Sequence, residues 1–178
     1  MKKLLLVVDY QKDFVDGALG FAGAEKLDGP IAAKIAAYRA AGDDVAFTMD
    51  THTPNYLDTQ EGRKLPVPHC LLNSEGWQLY GQTGAAQDKS RDMVVCKGAF
   101  PSLWLGNWLK KQGYDRIELV GLVSYLCVLS NAVMAKAALP EAELVVDASC
   151  TAGPDLVLHK QVLDLMEALQ ITVINREV

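Results

Sequence analysis

The cysteines and histidines of this chain separate into two groups whose spacing could do chemistry. The first centres on Cys127, in the stretch GLVSYLCVLSNA, where an apolar strand pattern gives way to a helical one. A thiol at or near a helix N-terminus faces free backbone N–H groups and the positive end of the helix dipole, both of which favour the thiolate. A lysine beside it would lower its pKa further. A carboxylate within reach could take the thiol proton and later deliver it to a leaving amine. Cys70, Cys96 and Cys150 lack such a position and are expected to pack as small buried hydrophobes.

The second group lies in MDTHTPNYLDTQEGRKLPVPHC, which holds two of the three histidines, His52 and His69. Asp50 and His52 are two residues apart at a strand end, so their side chains share a face. A loop stiffened by Pro66 and Pro68 brings His69 back towards them. A carboxylate with two imidazoles leaves coordination positions open, as catalytic Zn²⁺, Mn²⁺ or Fe²⁺ sites do. His159 falls on a late amphipathic helix and is expected at the surface.

These groups need elements to position them. The chain has 178 residues, half of them hydrophobic, which suits one domain, 1–178, with a proper core. Short β-branched runs alternate with helical stretches. Strands are expected at 4–9, 44–50, 93–97, 116–122, 142–148 and 171–176. Helices are expected at 30–42, 102–112, after Cys127, and over 155–170. This alternation predicts an α/β fold with three layers and a six-stranded, mainly parallel sheet. In such a sheet the carboxyl ends of the strands open onto the ligand crevice. Asp9, Asp50, Lys97 and Cys127 all fall at or just beyond those ends, so four reactive side chains converge on one edge.

Composition excludes several classes of function. A net charge of −5 and a pI near 5.1 argue against a nucleic-acid or anionic-membrane surface and favour a small neutral or cationic ligand. The apolar run before Asp9 is too short for a signal core or a membrane span. Four cysteines without CxxC pairing do not suggest a disulfide framework. The expectation is a cytoplasmic, thiol-reduced protein. Its partner would be a small-molecule amide, and a homo-oligomer is allowed.

The stretches VVDYQKDFVDGAL, DTH…PVPHC, CKGAF and GLVSYLCVLSNA, in this order, resemble the isochorismatase-like cysteine hydrolases, most of all their nicotinamidase branch. The resemblance spans nearly the whole chain. It implies a catalytic triad of Asp9, Lys97 and Cys127, with backbone N–H groups of Val123 and Cys127 as the oxyanion hole. It also implies a cis peptide between Leu122 and Val123. A divalent metal, Zn²⁺ ahead of Mn²⁺ or Fe²⁺, is implied at Asp50, His52 and His69. Family members often add a third histidine from the intervening loop. This chain has none there, so Asp58, Glu61 or water takes the place, with Glu61 favoured. Phe14, Leu19 and Phe100 occupy positions suited to sandwiching an aromatic ring. Pro68 replaces a tryptophan that several nicotinamidases carry, which implies looser ring selection. The activity implied is hydrolysis of nicotinamide or a similar aromatic amide to the acid and ammonia, through a thioester. The rivals are a ureide or N-carbamoyl amidase, an isochorismatase, or a non-catalytic binding or redox-sensing protein on the same scaffold.

Overall fold

Alternate residues of the first strand, β1 (Lys3–Val8), face opposite sides of the sheet, and both sides are apolar. Leu4, Leu6 and Val8 pack into one core and Leu5 and Val7 into another. A strand buried on both faces must lie inside a layered fold. The computed structural model describes residues 1–176.

The other strands are β2 (Asp44–Asp50), β3 (Met93–Lys97), β4 (Arg116–Leu122), β5 (Glu143–Ala152) and β6 (Thr172–Ile174). They form one six-stranded sheet in the order β3-β2-β1-β4-β5-β6. Every pairing is parallel, which sharpens the expected mainly parallel sheet. One face is covered by α2 (Asp28–Ala40), through Ile31 and Ile35. The other is covered by α5 (Leu103–Gln112), α6 (Leu129–Ala138) and α7 (Leu156–Ala168). Leu105, Leu109, Ala132, Ala135, Val162 and Met166 carry that second core. Three short helices, α1 (Lys12–Val15), α3 (Gln60–Lys64) and α4 (Gly81–Ala85), lie in the connections. Among the described residues no helix is long and apolar enough to cross a membrane.

Local chemistry sets the boundaries. The Ser102 hydroxyl accepts the Leu105 N–H at 3.1 Å to start α5, and Gly113 at φ 66° ends it. Asp155 caps α7 by accepting the N–H groups of Val157 and Leu158. β1 stops at Val8 rather than Asp9, because Asp9 turns to φ 45°. β5 runs four residues beyond the expected end at 148, and its register against β4 shifts between Leu119 and Gly121. At Gly121 a Cβ would come within 2.0 Å of the Val8 carbonyl oxygen, so only glycine lets β4 lie this close to the end of β1.

Strand order reverses between β1 and β4, which places the ligand crevice beyond their carboxyl ends. Away from it, on the α2 face, Lys34 Nζ lies 2.6 Å from Glu118 Oε1 and 2.7 Å from Asp147 Oδ2. Burial pushes the Asp147 carboxyl up, but bonds from Lys34, Ser149 and Asn175 outweigh it and hold it below the ordinary range. That contribution is present above the ordinary carboxylate pKa and is lost as pH falls through the lowered one. Lys34→Met leaves buried Asp147 without its cation and Glu118 with only Arg116 at 3.7 Å, and should cost about 3 kcal/mol at neutral pH. Urea titrations should show the deficit shrinking in acid, where Asp147 protonates; an equal deficit at all pH would mean that packing, not charge, was lost.

Candidate active site

Lys97, the last residue of β3, is buried with its ammonium directed at three groups. Its Nζ lies 2.6 Å from Asp9 Oδ2, 3.6 Å from Cys127 Sγ and 3.6 Å from Asp50 Oδ1. It also donates to the Ala99 carbonyl at 3.1 Å. Burial pushes its pKa down, but the attraction of Asp9, Cys127 and Asp50 outweighs this and keeps the ammonium charged. Asp9 is fully buried. Its Oδ1 accepts the Thr48 hydroxyl at 2.6 Å, and its backbone N–H is held by the Thr48 carbonyl at 3.2 Å. Burial, reinforced by the Asp50 charge, raises the Asp9 carboxyl despite the pull of Lys97.

Cys127 lies inside a single π-helical turn, Ser124–Val128, two residues before α6 begins. The Val123 carbonyl receives the N–H of Val128, five residues on, at 3.2 Å, as well as that of Leu126 at 3.0 Å. The Leu122–Val123 peptide is cis, as the resemblance implies. The expected activation of the thiol by a helix N-terminus is not what governs it. Burial dominates, and with the charges of Asp9 and Asp50 it pushes the Cys127 thiol well above its ordinary pKa, against the opposing pull of Lys97. Lys97 Nζ, in contact with both Cys127 Sγ and Asp9 Oδ2, links the thiol to the carboxylate.

Asp50, at the end of β2, bridges this cluster to the histidines. Its Oδ2 is 2.9 Å from His52 Nε2 and 3.3 Å from His69 Nε2. Glu61 Oε1 is 3.7 Å from His52 Nε2 and 3.8 Å from His69 Nε2. Donors bonded to one Zn²⁺ at about 2.0–2.1 Å lie about 3.3 Å apart, and the ligand atoms of these four side chains all lie within 4.8 Å of one another, close enough to share one ion. The tautomer gives an independent test. His69 Nδ1 donates to the Val67 carbonyl at 2.8 Å, so a neutral ring presents the lone pair of Nε2 to a carboxylate oxygen. Two acceptors facing each other call for a cation or a proton between them. Two carboxylates, Asp50 and Glu61, meet two imidazoles there, a donor set suited to a divalent cation. The residues fit the metal.

The backbone explains how loop residues reach this place. His52 and the returning strand are stitched by His52 N–H to Cys70 O at 3.0 Å and Leu72 N–H to His52 O at 2.9 Å. The Thr59 hydroxyl caps α3 by accepting the Gly62 N–H at 3.0 Å, and the turn it fixes carries Glu61 inward. Among the alternatives for the fourth ligand, Glu61 is the one brought to the cluster; Asp58 is not. Burial raises the Asp50 carboxyl, but the imidazoles of His52 and His69 beside it and the Lys97 charge hold it well below the ordinary range.

Several contributors carried no signal in the sequence. Gln11, fully buried, uses its amide to bind both backbone groups of Asp50: Nε2 to the carbonyl at 2.9 Å, and Oε1 from the N–H at 2.7 Å. Tyr56 packs edge-on against both imidazoles, with ring centroids 4.7 Å and 5.0 Å apart. Of the expected ring-binding residues, Phe100 lines a cleft beside the histidines with His52, Glu61, Leu65, Gly98 and Ala99. Phe14 packs against His69 at 5.5 Å. Leu19 is not among that cleft's residues and packs on the α2-side core. Two further expectations are corrected. His159 is half-buried, because its Nδ1 hydrogen-bonds the Ser124 hydroxyl at 2.9 Å. Cys96 is exposed rather than packed, since it points away from the core at the sheet's edge strand.

This geometry orders the reactivity of the thiols. Iodoacetamide at pH 7 should mark Cys96 before Cys127, and the Cys127 rate should climb only above the ordinary thiol range. Peptide mapping checks both; a Cys127 that reacts first at pH 7 would be a resting thiolate.

Comparison with known proteins shows the family and the fold. The isochorismatase domain family matches residues 3–178. A nicotinamidase/pyrazinamidase of Mycobacterium tuberculosis is 26% identical over 149 residues, 73% of this chain and 76% of that protein. The crystal structure of a nicotinamidase/pyrazinamidase from Bacillus subtilis superposes with a TM-score of 0.87 at 25% identity, over 97% of this chain and 99% of that one. A Pyrococcus horikoshii pyrazinamidase solved in complex with zinc gives 0.85 at 22% identity, over 99% of this chain and 100% of that one. The chain belongs to the isochorismatase family.

Proposed function

We propose that this protein is a metal-dependent cysteine amidase that hydrolyses nicotinamide or a closely similar aromatic amide to the carboxylic acid and ammonia. The observation that carries the reading is the single lysine, Lys97, in contact with a carboxylate, a thiol and the carboxylate of a metal-binding set. The amidase names of its relatives support the same class of reaction.

In this reading Asp9 takes the Cys127 proton as Sγ attacks the carboxamide carbon, forming the C–S bond. The developing oxyanion is met by backbone N–H groups of Val123 and Cys127. Asp9 then passes the proton to the amide nitrogen, the C–N bond breaks, and ammonia leaves a thioester. Water attacks that thioester, its proton goes to Asp9, and Cys127 leaves to recover its own proton. Lys97 holds Asp9 in place and offsets negative charge as it builds on sulfur. When bound, Zn²⁺ at Asp50, His52, Glu61 and His69 supplies an electrophilic point suited to a pyridine ring nitrogen. The zinc in the Pyrococcus relative supports this choice of ion. Phe100 and Phe14 offer apolar surface to the ring. Holding the ring fixes the carboxamide beside Cys127, a positioning effect.

Ammonia release should be measured on nicotinamide, pyrazinamide, ureidoacrylate and N-carbamoyl compounds. Nicotinamide or pyrazinamide should turn over fastest, and Cys127→Ala should abolish turnover while circular dichroism stays unchanged. A Cys127→Ala protein with near wild-type rates would end the covalent reading. Preference for the N-carbamoyl or ureide compounds would move the protein to a sister activity.

The metal makes a separate prediction. Chelation should raise KM for pyridine carboxamides more than for amides without a ring nitrogen, and His52→Ala should reproduce that pattern. Elemental analysis should find one divalent ion per chain in protein purified without chelator. If none is found and added Zn²⁺, Mn²⁺ or Fe²⁺ changes nothing, the protein is a cysteine hydrolase whose loop histidines are structural.

A further inference from the structure

Asn131 lies on α6, four residues after Cys127, and is fully buried. Its Nδ2 donates to the Cys127 carbonyl at 2.8 Å and to the Phe100 carbonyl at 3.0 Å. Both partners are acceptors, so the amide's NH₂ end must face them, and its two hydrogens serve both bonds at once. The other end is uncompensated: Oδ1 is buried and finds no hydrogen-bond partner among the described residues. An unpaired buried carbonyl disfavours the folded state, and a leucine of similar shape would avoid it. Packing therefore does not account for an amide here. The bonds from Nδ2 do.

Those bonds join two parts of the site that are distant in sequence. Phe100, Ala99 and Gly98 form one wall of the cleft beside the histidines. Cys127 carries the thiol. We infer that Asn131 is a positioning residue that ties the ring-binding segment 98–101 to the backbone of the thiol-bearing turn, so that ring selection and thiol placement are set by one side chain. The inference rests on the amidase reading for its kinetic consequence, while the tether itself does not. The 98–101 segment has a second anchor, the bond from Lys97 to the Ala99 carbonyl. Asn131 supplies the one made at Phe100.

Two substitutions separate its bonds. In a helix a threonine hydroxyl reaches the carbonyl four residues back, so Asn131→Thr keeps a bond to Cys127 and loses the one to Phe100. Asn131→Leu loses both and leaves two carbonyls without that donor. With nicotinamide, Asn131→Thr should raise KM about tenfold, with the loss falling on KM rather than kcat, whereas Asn131→Leu should raise KM and lower kcat. Crystal structures of the free variants give a readout independent of substrate. Segment 98–101 should shift from its wild-type position in both variants, and 124–128 only in Asn131→Leu. An unmoved 98–101 in Asn131→Leu, or a KM for Asn131→Thr equal to wild type, overturns the inference. A wild-type protein that ignores nicotinamide overturns the amidase reading instead, and the structures of the free variants still decide the tether.

Discussion

A buried ammonium sets the terms for this molecule. Removing a lysine charge from water costs several kcal/mol even after relaxation, and only close carboxylates with good geometry offset it. Lys97 meets that demand with Asp9 at 2.6 Å and Asp50 at 3.6 Å, drawn from the ends of two other strands. Three parallel strands must therefore end in register at one edge. Their order does this: β3 pairs with β2 and β2 with β1, with Asp50 directly opposite Lys97 across the ladder. Thr51 N–H to Lys97 O at 2.8 Å extends that register one residue past the strand end. The side chains that look incidental serve the same end. Thr48 orients Asp9, and Gln11 grips the backbone of Asp50 on both sides.

Asp50 makes the two constellations one electrostatic unit. Its Oδ1 faces Lys97 and its Oδ2 faces the imidazoles, so a change of charge among the histidines is felt at the lysine through a single carboxylate. Interactions across so short a span, away from water, are weakly screened. The cleft wall around Phe100 belongs to the same unit, because Lys97 bonds Ala99 and Asn131 bonds Phe100. The ring placement, metal binding and thiol chemistry proposed for this site would thus share supports instead of occupying separate modules.

What the sequence made legible follows from periodicity and from strand ends. Continuous apolar runs marked the six strands, and polar residues that break such runs marked the edge where Asp9, Asp50 and Lys97 meet. The spacing of Asp50 and His52, with the returning prolines before His69, was enough to suggest a ligand set. Glu61 was harder, because its place depends on the capped turn at Thr59 and not on any spacing. Gln11, Asn131 and Tyr56 were invisible for a common reason: each acts through a backbone group or ring far away in sequence, and its residue type is ordinary for a core or a turn. His159 was misjudged because helical amphipathicity says which face is wet. It does not say that Ser124 lies at the border of that face. Cys127 was placed correctly, but the sign of its pKa shift was not, since helix-end effects operate within a turn of the terminus while burial acts on the whole thiol.

That sign has a consequence for how the site can work. A resting thiolate would be attacked by any small electrophile or oxidant that reached it. Cys127 is instead kept as a thiol by burial, and Lys97 bridges it to Asp9, the carboxylate proposed to take its proton. Asp9 is itself raised by burial and the Asp50 charge, which makes it a stronger proton acceptor than an exposed carboxylate. Such a pair transfers the proton readily once negative charge on sulfur is drawn into a new bond, and the Lys97 ammonium at 3.6 Å from Sγ stabilises that charge only as it forms. In the proposed mechanism the lysine therefore contributes more to the state in which sulfur is attacking than to the resting one. Its buried charge, costly to the fold, is concentrated where the reacting state gains most from it.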